Sequence, residues 1–191
     1  MYRGFKTRAE ELSLQQRENL GLASEAPLPA TQLAKSLGIL VATLQEVPDV
    51  PADISRQLTR IDPHSWSAFT IPVHDTHLII HNSIHSPGRQ ESNLMHEIAH
   101  VLCNHNPGGI IQPPGFPFPM RTFNREQEDE ATWLGGCLQL PRTCLLWGVS
   151  KGLRDDEIAS HFGASVPLVL YRRRVTGVDR QLSRAHSIQS K

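Results

Sequence analysis

An excess of charge of either sign is missing from this chain: 19 Lys and Arg balance 19 Asp and Glu over 191 residues. That balance gives the whole molecule no electrostatic pull toward nucleic acid or an anionic membrane. Long apolar runs are lacking as well, none approaching the roughly 18–20 residues that cross a bilayer. The opening stretch, MYRGFKTRAEELSLQQRENL, mixes Arg, Lys and Glu and has no apolar core of the kind a secretory leader needs, so a cytoplasmic location is expected. Cysteine is scarce. Cys103, Cys137 and Cys144 form an odd set without CxxC spacing, which argues against a disulfide framework and for buried free thiols. Internal repeats are absent too.

What is present is 39% apolar residues, enough for one domain with a core of useful size. Residues 5–22 read as an amphipathic helix with Phe5, Ala9, Leu12 and Leu20 on one face. Thr31 reads as the N-cap of a short helix closed by Gly38. ILVATLQEV reads as a strand, and two more strands, Trp66 to Val73 and His77 to Ile80, flank a turn at His74-Asp75-Thr76. A helix is expected from about Arg89 to Asn104. In the following NPGGIIQPPGFPFPM, eight of fifteen residues are Gly or Pro, which predicts a loop without regular structure. A further helix runs from about Glu126 to Leu140, where Pro141 stops it, and two short helices follow. Strands come early and helices dominate without alternating with them, which favours an α+β fold. The expected organisation is one domain over 5–150, a helical segment over 151–178 packed on it, and a flexible tail over 179–191.

The segment NLMHEIAHVL puts two histidines and a glutamate inside an apolar helix, where unpaired ionisable groups are costly. At about 100° per residue, His96, Glu97 and His100 share one arc of the helix, with Leu94, Ile98, Val101 and Leu102 opposite. Two imidazoles one turn apart can each give a nitrogen to one cation, and Glu97 then flanks the metal as a general base acting on water there. With 10 His and 11 Glu in the chain, random placement gives about 0.03 such HExxH patterns. A catalytic zinc site expects a third protein ligand, and EQEDEATWLGGCLQLP is the place to find it. Glu126, Glu128 and Glu130 compete. Glu128 is preferred because it shares a helical stripe with Ala131, Gly135 and Leu138, and small residues at 131, 135 and 136 allow close approach to the HEIAH helix.

RQESNLMHEIAHVLCNH, followed 28 residues after His100 by EDEATWLGGCLQLP, resembles the ImmA/IrrE family of metallopeptidases. PLPATQLAKSLGILV and SAFTIPVHDTHLIIHNS resemble that family's N-terminal helix and strand and the hairpin before its active helix. The resemblance implies a zincin-like fold, with His96, His100 and Glu128 as ligands of Zn²⁺ or another divalent metal and Glu97 as catalytic base. It also implies proteolysis of a helix-turn-helix repressor or antitoxin. Thr132, Leu134 and Gln139 depart from the usual pattern without touching a ligand.

Other features are weaker. The remaining histidines have irregular spacing and read as surface or hydrogen-bonded groups and not as a second metal site. His105, about 140° around the helix from His100, is an unfavourable fourth ligand if the helix persists. His85, His105 and Tyr171 are candidates to stabilise an oxyanion. DDEIASHFGASVPLVLYRRRV resembles a helix-turn-helix, and residues 142–191 carry nine basic against four acidic residues. Packing on the peptidase is the favoured reading of that segment, with nucleic-acid binding weak or absent. Two rivals to the enzyme remain: a binding module that sequesters a transcription regulator around a structural metal, and a DNA-binding regulator using residues 153–175.

Overall fold

The computed structural model describes residues 1–105, 110–111, 120–121 and 124–182. In it, α1 (Phe5–Asn19) buries Phe5, Ala9, Ser13, Gln16 and Arg17, a stripe repeating every three to four residues. It ends three residues before the expected boundary, ahead of Gly21 at φ +66°. α2 (Ala30–Ser36) starts one residue before Thr31, with Pro29 as its N-cap and no side-chain cap of its own. The orphan N–H of Ala30 instead donates to the Glu91 carboxylate at 2.9 Å. Gly38, at φ +69°, turns the chain into β1 (Leu40–Thr43). That strand is shorter than the apolar run ILVATLQEV implies, because the Glu46 carboxylate accepts from the Thr43 N–H and hydroxyl and winds the next three residues into a 3-10 turn. α3 (Ala52–Arg56), continued by a wider helical turn to Ile61, is not announced by any apolar periodicity.

β2 (Ala68–Val73) and β3 (Thr76–His81) pair antiparallel, Val73 facing Thr76, across a two-residue turn in which His74 has φ +49°. β1 joins β3 in parallel, so the three-stranded order is β1-β3-β2, and among the described residues β2 is an edge. Ile79 and Ile80 point to opposite faces of the central strand, and both are fully buried. Ile79 faces the helices; Ile80 meets Leu44 and Ile71 on the far side.

α4 (Pro87–Leu102), with Pro87 at its first position, and α5 (Arg125–Gln139) pack together over the sheet and α1. Asn124 caps α5, its side chain accepting from the N–H groups of Glu126 and Gln127. Between the two helices, β4 (Ile110–Ile111) and β5 (Met120–Arg121) form a two-residue antiparallel ladder. Most of the expected Gly/Pro loop lies outside the described residues. Pro141 ends α5 and caps the start of α6 (Arg142–Ser150), a helix not among those expected. α7 (Asp155–His161) and α8 (Val166–Thr176) follow, and Cys144, Leu145, Ile158, Phe162 and Val169 close a second apolar cluster. The molecule is therefore a mixed α+β fold around a small sheet. Residues 183–191, the greater part of the expected flexible tail, lie outside the described residues.

Two buried arginines anchor the end of α5. Arg17 donates to the carbonyl of Leu138 at 2.9 Å, and Ser13 donates to that of Cys137 at 2.7 Å. Arg172 donates to the carbonyl of Leu140 at 3.0 Å and pairs with Glu10. Helix C-terminal carbonyls lack intrahelical partners, and these side chains supply them. YRRR is thus not a free basic patch. Arg172 is fully buried, and Arg173 is paired with both Asp155 and Asp179. Among the described residues no helix is long and apolar enough to cross a membrane.

Candidate metal centre

His96, Glu97 and His100 all lie on α4, and Glu128 on α5 stands beside the two histidines. His96 and His100 bring their Nε2 atoms within 3.1 Å of each other. A Glu128 carboxylate oxygen lies 3.1 Å from the Nε2 of His96, and the other lies 3.5 Å from that of His100. Ligands about 2.0–2.1 Å from a tetrahedral metal stand about 3.3–3.4 Å apart. The observed spacings bracket that edge, so the donor set fits a zinc-sized cation. Among the described residues these three form the group that a metal ion could bridge. His100 is 5% exposed at its side chain, against 28% for His96 and 36% for Glu128, so the cluster opens to solvent on one side.

The third position depends on helix contact. A Cβ on Gly135 would lie 3.1 Å from the Cα and N of His96 and from the carbonyl oxygen of Met95. Only glycine lets α5 come this close to the turn of α4 that holds the first histidine. Gly136, expected to serve the same contact, instead leaves room for the side chain of Arg172. Of the rival glutamates, Glu126 is 85% exposed and near the N-terminal amine. Glu130 lies against His105, whose Nε2 is 3.2 Å from its carboxylate.

Glu97 is 8% exposed and stands outside the three-ligand group. The hydroxyl of Thr70, on β2, donates to its Oε2 at 2.6 Å. Sequence reasoning missed Thr70, whose strand presents it to α4 only after the hairpin folds under the helix. It also missed the place of His105. α4 ends at Leu102, and Asn104 at φ +51° turns the chain so that the Nδ1 of His105 lies 3.0 Å from the Nδ1 of His100. An asparagine just past a helix end is the signal that the 140° extrapolation would fail.

The oxyanion candidates separate. Both ring nitrogens of His105 are engaged, and Tyr171 packs edge-on against Trp133. His85 keeps its Nδ1 3.2 Å from the Asn93 amide, and burial, with Arg89 and His64 nearby, holds its pKa below the ordinary imidazole value. Burial also pushes the thiols up, Cys103 and Cys144 to about 11 and Cys137 to about 12.

No curated protein matches this chain. A solved structure described as a Mycobacterium tuberculosis transcriptional regulator has 14% identity and a TM-score of 0.49. The match covers 90% of this chain, which spans only 47% of that one. The IrrE N-terminal-like domain of the Peptidase_M78 family matches residues 34–174, from α2 through most of α8. That span takes in both helices that carry His96, His100 and Glu128 and well over half of the sequence, and the chain belongs to the ImmA/IrrE family of metallopeptidases.

Proposed function

We propose that this protein is a cytoplasmic zinc-dependent endopeptidase of regulatory type, with a zincin-like active site, that cleaves a helix-turn-helix repressor or antitoxin. His96, His100 and Glu128 would hold Zn²⁺, with Glu97 as the catalytic base. The peptidase unit is residues 5–150, with 151–178 packed on it. The observation that carries the reading is the convergence of two imidazole nitrogens and one carboxylate at tetrahedral-edge spacing beside a buried glutamate that is not part of the trio.

When bound, the cation supplies Lewis acidity, polarising a carbonyl and bringing the pKa of water toward about 7. Glu97 takes the proton from the attacking water and returns it to the departing amine. The Thr70 hydroxyl, donating to Oε2, holds that carboxylate in a fixed orientation for both transfers. β2 carries Thr70 and is an edge strand, so an extended peptide laid along it passes beside Glu97. Among the described residues the cluster has three protein ligands and one open side, as a catalytic metal expects, where a structural one expects four.

Recognition of the substrate falls to surfaces other than a duplex-binding helix. Two of the three consecutive arginines of α8 are engaged within the protein, and its outward positions include Val166 and Leu170, at 38% and 52% exposed. The test is to incubate the zinc-loaded protein with any helix-turn-helix regulators encoded beside it and analyse the mixture by mass spectrometry. One discrete, chelator-sensitive cut is expected. Stable complexes without cleavage would favour a binding module, and tight sequence-selective DNA binding at physiological salt would favour a regulator.

A further inference from the structure

His105 and Glu130 have no part in the trio of ligands, yet they form a continuous chain behind it. The Nδ1 of His100 is 3.0 Å from the Nδ1 of His105, and the Nε2 of His105 is 3.2 Å from the Glu130 carboxylate. The chain is shielded, with side chains 5%, 6% and 15% exposed for His100, His105 and Glu130. It also spans two helices, since Glu130 stands on α5 two residues after Glu128.

We propose that His105 and Glu130 are positioning residues that fix the tautomer and ring orientation of His100, an inference that rests on the metal site described above. The hydrogen count leaves one arrangement. If the Nε2 of His100 keeps its lone pair for a cation, its proton is on Nδ1, and that N–H donates to His105. The Nδ1 of His105 must then accept, so its own proton is on Nε2 and is donated to the Glu130 carboxylate. The negative charge at the far end favours this direction over the reverse, in which His100 would present an N–H to the metal. Carboxylate support of a ligating imidazole raises its basicity and fixes its aim. Here the support passes through a second imidazole, because α4 stops at Leu102 and Asn104 swings His105 into the gap. The arrangement gives α5 two jobs, one carboxylate at the metal and one behind it.

The experiment measures zinc affinity of the full-length chain by competition with a chromophoric chelator, so the readout is binding and not activity. His105→Ala should weaken binding by about 10- to 100-fold, Glu130→Ala by a smaller factor, and Glu126→Ala not at all. His105→Asn, whose amide oxygen can accept from His100, should recover part of the loss. Imidazole ¹⁵N NMR of the zinc-loaded wild type should report His100 with its proton on Nδ1 and His105 with its proton on Nε2. Unchanged affinity in folded His105→Ala and Glu130→Ala overturns the relay and leaves the metal site standing. A wild type that binds no zinc overturns both. Should His105→Ala fail to fold, the NMR assignment decides, and the opposite tautomers refute the proposal.

Discussion

Replacing Gly135 by alanine tests whether the approach of α5 to α4 builds the site. In an unconstrained helix interior this change stabilises by about 0.8–1 kcal/mol, because glycine has the more mobile unfolded backbone. Here the new methyl lands 3.1 Å from three backbone atoms of Met95 and His96. Comfortable carbon contacts begin near about 3.5 Å, so the helices must part by a few tenths of an ångström. Neither backbone can rotate away as a side chain would. Overpacking of this kind costs about 1–3 kcal/mol, which leaves a net loss of about 1 kcal/mol and a melting shift of about 2–4 °C. The separation opens the 3.1 Å spacing between His96 and Glu128, which bridges the two helices. Zinc affinity should therefore fall by about tenfold, equivalent to about 1.4 kcal/mol. Thermal melting of the metal-free protein and chelator competition of the loaded one measure the two effects. An alanine variant that is more stable, by the amount helix propensity alone gives, with unchanged zinc affinity, refutes the close-contact argument.

Glu128→Ala should leave the chain with little or no zinc by atomic emission, while Glu126→Ala retains about one ion per chain; the reverse pattern would reassign the third ligand. Arg172→Ala should destabilise by about 2–4 kcal/mol in denaturant titration, since it leaves the Leu140 carbonyl without its donor and strips Glu10 of its ion pair, though not of the Arg142 N–H, whereas Arg174→Ala should be close to neutral. The three thiols should react slowly with an aromatic disulfide reagent at pH 8 and at once in guanidinium, because burial holds them protonated, Cys103 and Cys144 up to about 11 and Cys137 to about 12. A thiol pKa raised by folding contributes stability that is full below the unfolded value near 8.5–9 and is lost as pH rises toward about 11–12, so the melting temperature should fall across that window.

Local periodicity made the HEIAH helix, the hairpin and the Glu-bearing helix legible, because each buries one face and carries its own stop signal. Pro141 marks the end of α5, and the His74-Asp75 turn fixes the register of β2 on β3. Other features were hidden because tertiary partners decide them. Thr31 loses the cap position to a glutamate of another helix, sixty-one residues from the N–H it serves. Arg172 reads as surface charge in YRRR, yet Glu10 and a helix-end carbonyl draw it inside. His105 follows from helical extrapolation only if α4 continues, and it does not. α3 has no buried residue, so its helix leaves no apolar signature to read.

The most direct measurement is cleavage of a purified helix-turn-helix partner by the Glu97→Gln protein beside the wild type, with zinc content and melting temperature determined on the same samples. Glutamine keeps the shape of the side chain and an oxygen for Thr70 but cannot take a proton from water. The account predicts full zinc, a melting temperature within a few degrees, and cleavage lowered by at least about 10²-fold. Cleavage at the wild-type rate, with zinc bound and the fold intact, would contradict it.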